Sequence, residues 1–446
     1  MNILVINPPN SPYTNRSILA EPIDVLQVAT IIYDKFSNVS VIDMDLNMME
    51  NNIDEYLEDI GVVVFVYDYQ LPLHTSESID NIFEIIKNSS KNVKYICIGK
   101  TPSYYYKKFL KNGFDIIIDG IADNIINDVI SAILKNESLN HIPNIMYKDN
   151  DKTIVTKKEK LKNDFNYINY PKREFLSFNN YMDTRTMITS RGCMMRCNFC
   201  PTPSYFGTWS GKAAKKVVDE IEYLIKEYKA TKIIFLDDNM TVSKERVYEI
   251  CNEIKKRKIH CLFGCLSSIS YYDKELFKEM YSVGFRWIHF GIESGSFRIL
   301  KLMNKPMNIE YIKKVIKDVK DIGYRVRTSI ILDYPTSTVL DITKTKELLS
   351  EITPHEIRLH FIAYRVNTKL FEQNKNLNVS QYIHNNHPNI ENEKLNEGID
   401  NLVDALKKLG YNLVFDEIDW NKFNNLEKNT KIASFVPIKY GMCWYE

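Results

Sequence analysis

Met187-Ile-Thr-Ser-Arg-Gly-Cys-Met-Met-Arg-Cys-Asn-Phe-Cys-Pro201 joins a short strand pattern to a loop that contains three cysteines. Cys193, Cys197 and Cys200 have the spacing Cys-x3-Cys-x2-Cys. Three thiolates on one loop are one fewer than a 4Fe–4S cluster or a structural zinc site takes. The loop therefore predicts a metal centre with one position open to an exchangeable ligand.

Two kinds of metal centre use thiolates in this way. Structural zinc takes a fourth protein ligand, usually from a second Cys/His pair at short spacing, and the sequence has no obvious pair of that kind. His384 and His387 have a suitable spacing, but they lie in a polar, Asn-rich segment typical of solvated side chains. An iron–sulfur cluster with one open iron fits the loop as it stands, which favours a catalytic site.

The strand pattern before the loop is the first of a series. Apolar strand patterns recur at 187–190, 233–236, 260–265, 287–291, 326–332 and 356–361. Amphipathic helical patterns separate them at 213–228, 243–257, 273–282, 310–322 and 338–350. Six strand–helix units predict a partial (β/α)6 TIM-type barrel over residues 186–372, with its chemistry at the carboxyl ends of the strands. The cysteine loop follows the first strand and so lies at that end.

The α/β pattern also covers the start of the chain. Between residues 1 and 141, short apolar runs alternate with helical patterns, which predicts a doubly wound parallel sheet, a Rossmann-like domain. Residues 142–185 predict a hairpin and a linker. Residues 373–446 predict a small C-terminal α/β extension, and we expect its aromatic end, 436–446, to cover the barrel mouth.

Composition narrows the possible partners. The 446 residues include 58 basic and 57 acidic side chains, a net charge of +1, so no overall field attracts nucleic acid or a membrane surface. The first residues lack the pattern of a signal peptide, and no apolar run approaches the ~20 residues of a membrane span. We therefore expect a cytoplasmic protein that acts on small or shielded substrates.

These motifs together resemble the radical S-adenosylmethionine (SAM) superfamily, in particular the subgroup with an N-terminal cobalamin-binding-type domain, over roughly residues 1–372. The resemblance implies that the three cysteines hold a 4Fe–4S cluster whose open iron binds SAM. It also implies an anaerobic reaction, a reducing electron donor such as flavodoxin or ferredoxin, and a small-molecule or peptide-derived substrate. With cobalamin, C-methylation is expected; without it, rearrangement, carbon–carbon bond formation or fragment transfer. A non-catalytic cobalamin or redox sensor is the remote alternative.

The resemblance assigns roles to two groups near the loop. Phe199 resembles the aromatic side chain that shields the cluster near the adenine. Asp237, Asp238 and Asn239 end the second barrel strand and resemble the polar stretch that receives the methionyl ammonium group of SAM. Asp and Asn after a strand are also common helix caps, so both interpretations are open.

Further candidates lie on later strands. Gly291-Ile-Glu293-Ser294-Gly295 is similar to the motif whose acid binds the ribose hydroxyls, and Leu300-Lys-Leu-Met-Asn-Lys305 fits the stretch that follows it. Arg327 reaches SAM or substrate if it points into the barrel, and it is a surface residue if it does not. Cys265 and Cys443 are candidates for hydrogen-atom donation, with a structural thiol as the alternative.

The sequence also departs from the subgroup. Ser268 stands where an Arg is frequent, and the turn at 333–338 lacks the usual glycines. In the first domain the Asp-x-His-x-x-Gly motif is absent, Gly99-Lys100 replaces a Gly-Gly pair, and 119–123 lacks the usual Gly and Glu. Cobalamin binding and a domain that merely packs on the barrel therefore stay open as alternatives.

Overall fold

The computed structural model describes most of the chain in two compact units. The described residues are 2–9, 20–46, 53–67, 76–89, 91–123, 125–150, 152–160, 164–178, 181, 183–374, 393–414 and 431–435. The division between the units falls between residues 180 and 181. No helix in these segments combines the length and the apolar character that crossing a membrane requires.

The first unit is a seven-stranded sheet flanked by helices. Its strands are β1 (Asn2–Asn7), β2 (Val39–Asp43), β3 (Ile60–Val66), β4 (Lys94–Ile98), β5 (Ile116–Ile118), β6 (Ile145–Asp149) and β7 (Lys152–Val155). Its helices are α1 (Ile23–Phe36), α2 (Ser76–Asn88), α3 (Lys100–Tyr104), α4 (Tyr106–Lys111) and α5 (Ile126–Lys135). The order is β2-β1-β3-β4-β5-β6-β7, and the first five strands are parallel. This confirms the doubly wound sheet.

The hairpin that sequence analysis placed in a linker belongs to this sheet. Strand β6 pairs antiparallel with β5, and β7 pairs with β6. Ile145, Met146 and Tyr147 are buried. These apolar side chains and the ladder to β5 hold the hairpin on the sheet edge, so the first unit extends past residue 141.

The second unit is an open barrel of parallel strands. Its strands are β8 (Arg185–Met187), β9 (Ser190–Arg191), β10 (Ser210–Gly211), β11 (Lys232–Phe235), β12 (Leu262–Ser267), β13 (Phe285–Glu293), β14 (Arg325–Ile331), β15 (Glu356–His360), β16 (Asn412–Val414) and β17 (Ile432–Phe435). Its helices are α6 (Thr202–Phe206), α7 (Ala214–Tyr228), α8 (Lys244–Lys256), α9 (Lys274–Ser282), α10 (Phe297–Leu302), α11 (Ile309–Ile322), α12 (Val339–Ile352), α13 (Lys369–Gln373) and α14 (Glu393–Lys408).

The barrel sheet has eight strands in the order β8-β11-β12-β13-β14-β15-β17-β16. All neighbours in it are parallel, and β9 and β10 form a separate antiparallel pair. The six predicted strands are all present. The C-terminal extension is continuous with them, because β17 pairs with β15 and adds an edge to the same sheet.

The two faces of this sheet have different compositions. On β13, Ile288, Phe290 and Ile292 are buried on the face toward the helices, where the ring of Phe290 stacks on Phe277 of α9 at 6.1 Å. Since side chains alternate along a strand, Trp287 and His289 point to the opposite, inner face. That inner face and the carboxyl ends of the strands position the candidate site.

Candidate active site

The cysteine loop lies between β9 and α6. Cys193, Cys197 and Cys200 are half-buried thiols, and the backbone N–H of Cys200 donates to the carbonyl of Cys197 at 3.2 Å. Burial raises the pKa of Cys197 to about 12 and also raises the pKa values of Cys193 and Cys200. Thiols with raised pKa values stay protonated at neutral pH until a bound cation stabilises the thiolate. The donor set thus fits an iron-bearing group that supplies this charge.

Hydrogen bonds fasten the loop to the end of α10. The backbone and side-chain amides of Asn198 donate to the carbonyls of Met303 and Leu302 at 2.9 and 2.7 Å. In return the side chain of Asn304 donates to the carbonyl of Arg196 at 2.7 Å. These contacts hold the segment between the second and third thiols against the residues that follow β13.

Asp238 holds the two ends of the loop. One carboxylate oxygen accepts from the backbone N–H of Gly192 and the other from the hydroxyl of Thr202, both at 2.8 Å. Gly192 precedes the first cysteine and Thr202 follows the last by two residues. Burial raises the pKa of Asp238 to about 6. The contacts make Asp238 a positioning residue for the loop, in addition to the predicted role with the SAM ammonium group, which stays a prediction.

Asp237 ties β11 to the connection between β8 and β9. It is fully buried and accepts from the backbone N–H and the hydroxyl of Thr189 at 2.6 and 2.7 Å, and from the hydroxyl of Ser190 at 2.6 Å. Helix α8 is capped by Ser243, so Asp237 is not a helix cap. Its present contacts are structural, and a role toward SAM stays a prediction.

Asn239 differs from the two aspartates. Its side-chain oxygen accepts from the backbone and hydroxyl of Thr241 at 3.3 and 3.2 Å. Its Nδ2 is buried and has no acceptor among the described residues. An unsatisfied buried donor is costly, so Nδ2 suits an acceptor atom of a bound ligand.

Glu293 ends β13 in a strained conformation. Its φ is 70°, the left-handed region that non-glycine residues rarely adopt, and the pairing of β13 with β14 is irregular between Gly291 and Glu293. Its Oε1 accepts from Lys305 Nζ at 2.8 Å. A Cβ at Gly291 would press on Glu293 Oε1 and lie 2.9 Å from Lys305 Nζ, so a larger residue there would displace the ends of these two side chains.

Lys305 is a candidate site residue that sequence analysis missed. In the sequence it only ends the Leu300–Lys305 stretch, and its pairing with Glu293 depends on the fold. Burial alone would lower the pKa of Lys305, but the charges of Glu293 and Cys197 outweigh burial and the pKa is raised. Lys305 is therefore a cation near both Glu293 and the cysteine loop. A lysine shortly after the Gly-Ile-Glu-Ser-Gly stretch was the available signal.

The remaining predicted residues near the loop have simpler surroundings. Ser294 accepts from the backbone N–H of Ser296 at 3.1 Å and lies 3.4 Å from the hydroxyl of Thr345. Phe199 is half-buried in the loop. Ser268 contacts the loop directly, because its hydroxyl lies 3.3 Å from the sulfur of Met195. The cofactor roles of Phe199, Glu293 and Ser294 stay predictions.

Arg327 points to the inner face of the barrel, so the surface alternative is wrong. It is fully buried, its Nε donates to Glu356 at 2.7 Å, and its guanidinium lies 4.8 Å from the centre of the Trp287 ring. These partners fix its position at the start of β14. Whether Arg327 also contacts SAM or substrate stays a prediction.

The structure places Cys265 between the sheet and the helices. Cys265 is fully buried, and it pairs in register with Ile288, whose side chain points to the helices. Burial raises the pKa of its thiol, and the charges of Asp237 and of Cys251 on α8 contribute to the increase. This position favours the structural alternative, and a catalytic role of Cys265 stays a prediction. Cys443, His384 and His387 lie outside the described residues.

The described segments contain no group of three His, Cys, Asp or Glu side chains arranged to hold one metal ion.

Comparison with known proteins defines the site further. Residues 187–349 match the model of the Radical SAM superfamily. An uncharacterised methyltransferase of Pyrococcus horikoshii is 25% identical over 359 residues, which cover 77% of each chain. The anaerobic magnesium-protoporphyrin IX monomethyl ester cyclase of Rubrivivax gelatinosus is 24% identical over 62% of this chain and 52% of its own, so the chain spans about half of that relative.

Two solved structures have a similar fold. The radical SAM methyltransferase TsrM of Kitasatospora setae, with cobalamin and a 4Fe–4S cluster bound, has a TM-score of 0.69 and 15% identity over 81% of this chain and 75% of its own. The cobalamin-dependent radical SAM enzyme OxsB has a TM-score of 0.67 and 20% identity over 86% of this chain and 56% of its own. These matches include both units and support the two-part architecture.

Proposed function

Because residues 187–349 form a radical SAM domain, the chain is a radical SAM enzyme, and we propose that it abstracts a hydrogen atom from a C–H bond of a small-molecule substrate. The observation that carries this proposal is the arrangement around the cysteine loop. Asp238 holds the loop at both ends, and the buried Glu293–Lys305 pair lies beside its second thiol. A radical SAM domain takes a 4Fe–4S cluster and SAM, which excludes the zinc alternative.

Different residues of this chain would bind the cluster and the parts of SAM. Cys193, Cys197 and Cys200 would hold three irons of the cluster, and the fourth iron would take the amino and carboxylate groups of SAM. Glu293 would accept hydrogen bonds from the ribose hydroxyls, with its charge balanced by Lys305. Asn239 Nδ2 would donate to an acceptor of the bound nucleotide.

When bound, the cluster and SAM would supply radical chemistry that side chains lack, namely reductive cleavage of SAM and hydrogen-atom abstraction from the substrate. The protein's part is to orient SAM and to keep water from the radical. Tight anchoring of the loop by Asn198 and Asn304 serves this purpose, because small displacements of reacting atoms cost large factors in rate. A flavodoxin or ferredoxin in an anaerobic cytoplasm is the proposed electron source.

The ends of β4 and β5 in the first unit are the place where a corrinoid's nucleotide tail would approach. Lys100 is 7% exposed and its Nζ donates to Asp119 at 2.9 Å, in the place where the subgroup has glycine. A Cβ at Gly120 would lie 3.0 Å from the same Nζ, so the lysine fills the space next to the turn. These residues do not fit the close approach of that tail.

The proposal therefore takes the cobalamin-independent course: rearrangement, carbon–carbon bond formation or fragment transfer. Cobalamin-dependent C-methylation is the second candidate, supported by the fold shared with TsrM and OxsB over both units. The two candidates differ in one measurable property, which is the absorption of a bound corrin.

The test uses anaerobically reconstituted protein. With dithionite and SAM, we expect release of 5'-deoxyadenosine and an iron and sulfide content near four each per chain. Added hydroxocobalamin, followed by desalting, should leave no corrin absorption on the protein. Tightly bound zinc with negligible sulfide, or no cleavage of SAM under any reducing condition, would contradict the proposal; retained corrin would favour C-methylation.

A further inference from the structure

The inner face of the barrel carries a row of basic and polar side chains. Strand register places Ser329 of β14 opposite Arg358 of β15, with His360 two residues further along β15. His289 of β13 joins the row, because its Nε2 lies 2.6 Å from the hydroxyl of Ser329. We call His289, Ser329, Arg358 and His360 the inner-face set.

Positive charges lower the pKa values of the two histidines of this set. Burial, together with the charges of Arg358, Arg365 and Arg327, lowers the pKa of His360 to about 3. Burial also lowers the pKa of His289, followed by the charges of Arg327 and Arg358. Both histidines are therefore neutral at pH 7, in a positive potential that neighbouring guanidinium groups create. A buried positive potential stabilises a bound anion.

One acid on the same face, Glu356, is bound by two other arginines. Glu356 accepts from the Nε atoms of Arg325 and Arg327 at 2.6 and 2.7 Å. Burial by itself would raise the pKa of Glu356, but these two guanidinium groups lower it. Glu356 is thus ionised between two arginines at the start of its strand, while Arg358 lies two residues further toward the carboxyl end.

One atom of the inner-face set lacks a partner. His289 Nδ1 is buried and makes no hydrogen bond with the described residues. If the Ser329 hydroxyl donates to Nε2, the proton of the neutral imidazole resides on Nδ1. Nδ1–H is then a donor that a ligand acceptor can satisfy.

We propose that the inner-face set binds an oxyanion of the substrate, a carboxylate or a phosphate group, through the guanidinium of Arg358 and the ring N–H groups of His289 and His360. Planar guanidinium suits either anion, because it offers two parallel N–H donors. Ser329 acts as a positioning residue that fixes the His289 tautomer. This inference rests on the proposed function, since it names the substrate class of that site.

The carboxylate of SAM is a second anion that cations near the site attract. Lys305 influences the pKa of Cys197, and Arg365 influences that of Cys200. The same two cations also lower the pKa values of His289 and His360, respectively. Because the cysteine loop and the inner-face set share these cations, SAM affinity is measured beside anion binding to assign Arg358 to the substrate or to SAM.

The experiment measures anion binding to the reconstituted, SAM-loaded protein by calorimetry, with inorganic phosphate and acetate as separate probes. The wild type should bind at least one of them, and the stronger probe identifies the group. Arg358→Gln should weaken that binding by at least about tenfold, as expected for loss of a charge-assisted hydrogen bond. Arg257→Gln is the matched control, because Arg257 lies on the helical surface beside Asp219 and Glu222.

A second variant guards against misfolding of Arg358→Gln. His289→Leu keeps a similar volume and removes the buried Nδ1, so it should fold and still weaken anion binding several-fold. Binding of neither probe by the wild type, or equal binding by both variants and wild type, would overturn the inference. Loss of SAM affinity in Arg358→Gln with unchanged anion binding would also overturn it and assign Arg358 to SAM.

Release of 5'-deoxyadenosine is followed in the same samples. Anion binding by a wild type that never cleaves SAM would reject the proposed function and leave the anion site standing. SAM cleavage without any anion binding would support the proposed function and reject the anion site.

Discussion

Each unit carries a buried lysine–carboxylate pair at the carboxyl edge of its parallel sheet, packed against a glycine. In the first unit Lys100 pairs with Asp119 beside Gly120, and in the barrel Lys305 pairs with Glu293 beside Gly291. Both pairs have N–O distances of 2.9 and 2.8 Å and side chains that are 9–11% exposed. The pairs are alike in chemistry, burial and position in the fold.

Their surroundings differ. Asp119 takes a second lysine, Lys158 at 3.0 Å, so its charge is satisfied within the unit. Glu293 has a left-handed backbone and lies with Lys305 beside the cysteine loop. A buried ion pair by itself is weak support for stability or function. The two pairs therefore differ in their neighbours: a second lysine neutralises Asp119, whereas Glu293 and Lys305 lie beside the three thiols of the proposed site.

The largest expected difference is between alanine substitutions of a cysteine in each unit. Cys197→Ala removes one cluster ligand and should abolish both the cluster absorbance and the release of 5'-deoxyadenosine. Cys97→Ala changes a fully buried thiol of the first unit and should cost about 1 kcal/mol of stability with SAM cleavage retained. Absorbance and product release measure both. An active Cys197→Ala protein would contradict the assignment of the loop.

The two acids can be exchanged for amides in parallel. Glu293→Gln and Asp119→Asn each leave a buried lysine without its full countercharge, which costs about 3–5 kcal/mol when a buried pair is broken, and less for Asp119→Asn because Lys158 is exposed. Only Glu293→Gln should weaken SAM binding, by at least about tenfold. Calorimetry with SAM and urea unfolding measure the two effects. Equal SAM affinity in both variants would remove Glu293 from the site.

Replacing the glycine beside each lysine–carboxylate pair should have a smaller effect on SAM binding and stability. Gly291→Ala pushes a methyl group into Glu293 and Lys305, and should weaken SAM binding roughly tenfold by displacing the carboxylate. Gly120→Ala meets Lys100 at a φ of 81°, so it should cost about 1–2 kcal/mol of stability and leave SAM binding unchanged. The same two measurements apply. A Gly120→Ala protein with impaired SAM binding would show that the first unit shapes the nucleotide site.

The smallest expected effect is a difference in acid sensitivity. Burial, with help from Arg325, lowers the pKa of His355 to about 4, against roughly 6.5 in the unfolded chain. The unfolded state then binds more protons between these values, so the barrel loses stability as pH falls from about 6.5 to 4. Burial would raise the pKa of Asp119, but Lys100 and Lys158 lower it, so its contribution is lost only below about 4.

Hydrogen exchange of peptides from each unit at pH 7 and pH 4.5 measures this difference. The barrel should lose protection first, and His355→Gln should reduce the pH dependence because Gln does not titrate. Using the variant as the reference cancels any acid lability of the cluster. A pH dependence that is identical in wild type and variant would contradict the role of His355.

Much of the fold followed from local patterns. The six barrel strands and the five parallel strands of the first unit are short apolar runs between amphipathic helices, and both sheets contain them. The hairpin of β6 and β7 was recognised, but its place on the first sheet was not, because strand pairing depends on partners distant in sequence. The face that Cys265 takes was open for a related reason, because it depends on the pairing of β12 with β13, in which Cys265 lies beside Ile288.

The sequence by itself determined the chemistry of this protein, because the spacing of Cys193, Cys197 and Cys200 is a local property of one loop. It also predicted the parallel strands of both units, since short apolar strands that alternate with amphipathic helices form parallel sheets. Only the tertiary structure decided that Asp238 holds the loop at both ends, that Lys305 pairs with Glu293, and that Arg358 joins His289 on one inner face. Those relations join residues from different strands, and a distance between strands exists only once the sheet has formed.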